Sequence, residues 1–142
     1  MKTSLNQIII LGFVLLFGVL SFTRCAKVVA PSGGLKDTIP PHIIKAEPEN
    51  YSTGFDAEEI DVEFSEFIQL KELEKQFISS PPFKEDPDVK ERGDEIRIFL
   101  TDTLKDSTTY TLNFGNAIVD FREGNPMRNF RYVFSTGSFI DS

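Results

Sequence analysis

Apolar residues first form one unbroken run and then settle into alternation with polar ones. The run extends from Ile8 to Phe22, after the basic start Met1-Lys2-Thr3. As a helix, about 15 such residues rise only about 22 Å, short of the roughly 30 Å hydrocarbon core of a bilayer. A basic start with a short apolar centre fits an export signal better than a spanning helix. From His42 onward the pattern has period two, the mark of half-buried strands. Ile43, Ile44 and Ala46 mark a strand over 42–47. Over 59–65, Ile60, Val62 and Phe64 share one face, and Glu59, Asp61, Glu63 and Ser65 the other. Phe77-Ile78 forms a strand over 75–79, stopped by Pro81-Pro82. Further strands run over 95–101 (Ile96, Ile98, Leu100), 109–114 (Tyr110, Leu112, Phe114) and 130–136 (Phe130, Tyr132, Phe134).

Turn-forming residues cluster between these segments, as at Glu49-Asn50, Arg92-Gly93-Asp94 and Glu123-Gly124-Asn125-Pro126. The only helical suspicion outside the signal is Leu70 to Gln76, at most about two turns. Many short alternating strands and no long helix predict an all-β fold, an antiparallel β-sandwich of about seven strands preceded by a helical signal segment. Between signal and sandwich, Ser32-Gly33-Gly34 is flexible and Pro40-Pro41 stiff, which reads as a tether. The chain accordingly divides into a signal segment (1–24), a tether (25–37), a sandwich (38–137) and a tail (138–142).

The chain has 142 residues, enough for one domain with its own core. Fourteen Phe and three Tyr without Trp make that core aromatic. The net charge is −7, from 15 basic and 22 acidic residues. Residues 1–24 hold Lys2 and Arg24 and no acid, so the remainder carries about −9. Such a surface repels phosphate backbones and anionic lipid, which argues against nucleic-acid binding.

The chemistry available is sparse. One Cys forms no internal disulfide, and one Cys with one His builds no His/Cys zinc site. A Ser-His-Asp arrangement would need His42, which follows Pro40-Pro41 at a strand start and reads as exposed. Glu58, Glu59, Asp61, Glu63 and Glu66 lie in or beside an alternating strand and read as its solvated face rather than a catalytic carboxylate pair. Asp120-Phe-Arg-Glu-Gly-Asn125 offers oxygens near a glycine without the spacing of a calcium loop, so it reads as a turn. No glycine-rich phosphate loop follows a strand. No catalytic residue, metal, cofactor or small-molecule substrate is expected.

Three resemblances add detail. The segment ending at Cys25 resembles a bacterial lipoprotein signal, which implies lipid attachment at Cys25, cleavage before it and anchoring by acyl chains. Arg24 stands where that family places a small residue, so an uncleaved signal anchor and cleavage elsewhere remain as alternatives. Leu104-Lys-Asp-Ser-Thr-Thr-Tyr110 resembles the tyrosine corner of Ig-like and fibronectin-like sandwiches, which implies that the Tyr110 hydroxyl bonds to backbone a few residues upstream. Finally, Asp37-Thr-Ile-Pro-Pro41, Glu47-Pro-Glu-Asn50 and Ile60-Asp-Val-Glu-Phe-Ser-Glu66 resemble the opening of a bacterial Ig-like domain of the SbsA type. Leu104 to Tyr110, Ile118-Val-Asp120, Gly124-Asn125 and Phe134-Ser-Thr-Gly137 resemble its second half.

The nearest likeness is to the N-terminal Ig-like domain of Gram-negative envelope lipoproteins. That implies a non-catalytic structural or spacer module, anchored most naturally in the outer membrane and facing the periplasm or the surface. The alternative is a module binding an envelope protein or glycan through sheet edges or loops, with the Phe83-bearing loop from Ser80 to Gly93 as one surface. Related lipoproteins continue past the last strand, so a chain stopping at Ser142 reads as a fragment or a truncated member.

Overall fold

A computed structural model describes residues 4–20 and 34–141. Cys25, Arg24 and most of the tether lie outside the described residues. The chain divides into two compact units, Met1–Gly34 and Leu35–Ser142. The first contains the helix α1, Leu5–Leu20, of 16 residues. Among the described residues no helix is long and apolar enough to cross a membrane.

The second unit holds nine strands rather than about seven. They are β1 (Ile43–Glu47), β2 (Glu59–Phe64), β3 (Ile68–Leu70), β4 (Ile78–Ser80), β5 (Asp88–Arg92), β6 (Glu95–Phe99), β7 (Thr109–Gly115), β8 (Ile118–Asp120) and β9 (Phe130–Ser135). The single-turn helix α2, Leu73–Gln76, follows β3. The additional strands have physical reasons for escaping the period-two reading. β3 and β8 span three residues each and form a small two-stranded sheet of their own. β5 is an edge strand of Asp, Lys, Glu and Arg around a single half-buried Val89.

Four strands form one antiparallel sheet in the order β1-β2-β6-β5, and three form another in the order β4-β7-β9. Alternation decides which side faces the core. Ile60 lies opposite Ile98 and Val62 opposite Ile96, all fully buried. From the other sheet Tyr110 lies opposite Phe134 and Leu112 opposite Tyr132. These residues join Phe64, Phe114 and Phe130 in one cluster, so the two sheets close as a sandwich over a shared core. Aromatic rings run through it in two series. Phe83, Tyr110 and Phe134 stack at 5.3 and 5.2 Å, and Phe77, Phe114 and Phe130 pack at 5.2 and 5.4 Å.

Register also fixes the two poles of the sandwich. At one end Ile43 of β1 lies opposite Phe64, where β2 finishes. At the other end Glu59, where β2 starts, lies opposite Phe99, where β6 finishes. Leu100 donates its N–H to the Glu58 carbonyl there, and Thr136 donates to Thr108. The chain therefore enters at the Phe64 pole and completes its last strand at the Glu59 pole.

Candidate functional site

Two clefts mark the poles. That at the Glu59 pole is an open space of about 460 Å³, bordered by Phe55 to Glu58, Leu100 to Leu104, Asp106 and Thr136. That at the entry pole, about 530 Å³, is bordered by Leu35, Asp37, Glu66, Phe67, Phe121, Arg122 and Glu123. Among the described residues no group of three or more His, Cys, Asp or Glu is placed to hold a metal ion.

The Leu104–Tyr110 turn closes the Glu59 pole. Leu104 packs against the core, and Tyr110 is buried on β7. The Tyr110 hydroxyl accepts a hydrogen bond from the Lys105 N–H at 2.9 Å. On the other side of the same residue, the Thr136 hydroxyl donates to the Lys105 carbonyl at 2.7 Å. Thr136 also accepts the Thr108 N–H at 2.9 Å. Both backbone groups of Lys105 are thus held by side chains, one from β7 and one from the residue just past β9, and the turn has little freedom left. The sequence pointed to Tyr110; nothing in a lone threonine announced its partner.

Asp120 organises the entry pole. It is 1% exposed, at the end of β8. Its Oδ1 accepts the N–H groups of Glu123 and Gly124 at 2.6 and 3.0 Å, and its Oδ2 accepts that of Asn125 at 2.7 Å. Gly124 sits at φ +78°, a conformation that favours glycine. Burial pushes the Asp120 carboxyl up, but the N–H groups of Glu123, Asn125, Gly124 and Arg122 together outweigh it and hold the group below its usual range. The oxygens that a calcium ion would need are spent on this turn. The Asn125 amide donates in turn to the Asp37 carbonyl at 3.1 Å, fastening the entering chain to the same loop.

The other polar candidates stand apart. His42 is exposed, and its backbone exchanges hydrogen bonds with Ser65. Glu59, Asp61 and Glu63 lie on the outer side of β2, and Asp61 pairs with Arg97 of β6 at 2.6 Å. Glu66, half-buried at the entry pole, is pushed up by burial first and then by Asp120, Asp37 and Glu123, with His42 opposing. Phe83 does not project from its loop. Half-buried, it stacks on Tyr110 with the rings 13° apart, so its aromatic face is spent on the core.

Sequence reasoning placed Asn50 in a turn and missed what its side chain does. Its amide Nδ2 donates to the Arg131 carbonyl at 3.0 Å, and its Oδ1 accepts the Val133 N–H at 2.8 Å. One side chain thereby copies the donor and acceptor of a neighbouring strand. The backbone of Tyr51, Ser52 and Phe55 continues the pairing along the outer edge of β9. Tyr132 donates its hydroxyl to the Pro48 carbonyl at 2.7 Å, and burial pushes that hydroxyl's pKa up to about 12.

A two-sheet antiparallel sandwich with a buried tyrosine bonded into its own turn is an Ig-like architecture. The sequence profile of the bacterial Ig-like domain family matches residues 37–136, and the chain belongs to that family. Its members are structural or binding modules, generally non-catalytic, often found in extracellular and envelope proteins. No curated protein matches the chain significantly.

Proposed function

We propose that the chain is a non-catalytic Ig-like spacer of a membrane-anchored envelope lipoprotein, fixed to the outer membrane through lipid on Cys25. The observation that carries the spacer reading is the separation of entry from exit. Leu35 borders the cleft at one pole, and Thr136 borders the cleft at the other. A domain threaded this way adds its own length to the chain that carries it, whereas one with adjacent termini adds a side branch. The anchor reading is supported by the short apolar segment that ends just before Cys25. Metabolic labelling with an alkyne fatty acid tests it. The expected result is acyl label on the native chain, and neither label nor membrane fractionation for Cys25→Ser. An unlabelled chain that still sediments with membranes would replace the lipid by a signal anchor.

A further inference from the structure

The entry pole carries apolar surface that the domain itself does not use. Phe67 and Phe121 are each 63% exposed, and Leu35 is fully exposed. All three border the same cleft. The backbones that carry the two rings are held side by side, because the Phe121 N–H donates to the Phe67 carbonyl at 2.9 Å. Phe67 precedes β3 and Phe121 follows β8, so the antiparallel pairing of those strands brings the rings to one place.

We propose that this pole rests on the zwitterionic lipid surface of the membrane that carries the anchor, with Phe67, Phe121 and Leu35 entering the headgroup layer. The proposal depends on the anchor reading above. Ten residue steps lead from position 25 to position 35, a reach of at most about 35 Å even when fully extended. The entry pole is therefore leashed within that distance of the lipid, and the Glu59 pole is joined to the anchor only through it. Phenylalanine and leucine are the side chains that amphipathic surfaces sink to the acyl boundary. The charges around them are of both signs: Arg122 stands with Asp37, Glu66 and Glu123 on the cleft, and Lys36 lies between Leu35 and Asp37 in the chain. A headgroup carrying a phosphate and an amine offers a partner to each. A purely anionic surface does not, because the chain beyond residue 24 is strongly acidic.

The test uses the absence of Trp from the chain. Phe67→Trp, Phe121→Trp and Phe139→Trp each give a single reporter, the last at an exposed position beyond β9, near the exit pole. Each full-length variant is reconstituted into phosphatidylcholine vesicles with brominated acyl chains and recovered by flotation. Trp at 67 and at 121 should lose about half its fluorescence to bromine near the headgroups and shift to the blue, while Trp at 139 stays unquenched. Replacing half of the lipid with phosphatidylglycerol should weaken the quenching. Vesicle-bound protein with all three reporters equally unquenched would overturn the docking proposal and leave the anchor standing. Protein that fails to float would overturn both. A blue shift at 67 and 121 that grows with protein concentration without vesicles would replace lipid by a second copy of the chain.

Discussion

At the scale of single residues, two side chains hold their poles by different chemistry. Tyr110 uses a neutral hydroxyl to accept one N–H, from Lys105. Tyr110→Phe keeps the ring stacked between Phe83 and Phe134 and removes only that bond. It should cost about 0.5–1.5 kcal/mol in urea unfolding, and an unchanged midpoint would show that the bond contributes nothing. Asp120 uses a charge, so its contribution depends on pH. Its folded-state pKa lies below the unfolded value of about 3.9, so its stabilisation is fully present above that value and disappears as pH falls through the folded one. Asp120→Asn should cost about 1.5–3 kcal/mol at pH 7, with the gap to the native chain closing towards pH 3. A gap that stays constant across this range would show that shape rather than charge holds the loop. Tyr110 was legible in the sequence because its turn has a characteristic spacing. Of Asp120, only membership of a turn was legible, since three converging N–H groups are a product of the folded loop.

At the scale of elements, legibility followed alternation. β2, β6, β7 and β9 each place apolar residues on every second position and were readable in type and in facing. β5 was not, because an edge strand needs charge rather than alternation to stay unpaired on its outer side. The other sheet protects β9 in a different way, by laying residues 50–55 along it. Asn50 is the centre of that device, and its partners are 81 and 83 residues away in sequence, beyond any local pattern. Asn50→Ala removes a donor and an acceptor at once and leaves the Arg131 carbonyl and Val133 N–H without them. A loss of about 1–3 kcal/mol is expected, with faster hydrogen exchange at Val133 than at Leu112 on the protected neighbour β7. Equal exchange at both positions in the variant would show that the backbone of 51–55 seals the edge without Asn50.

For the whole molecule, the strand register carries a geometric consequence. β2 alone spans six residues, about 20 Å, between the pole where the chain enters and the pole where its last strand ends. The loops that border the two clefts lie beyond its ends and add to that distance. Dyes at Leu35→Cys and Phe139→Cys, in a Cys25→Ser background, should therefore report more than about 25 Å by energy transfer. Because the separation is built from hydrogen-bonded strands, it should persist until the domain unfolds cooperatively in urea and then change in one step with the circular dichroism signal. A separation under about 15 Å in the folded chain would place entry and exit at the same pole. A gradual drift before the unfolding step would show that the poles are joined by flexible chain rather than by the sandwich. Either result would remove the mechanical basis for a spacer, because a spacer transmits position only as far as its two attachment points are rigidly apart.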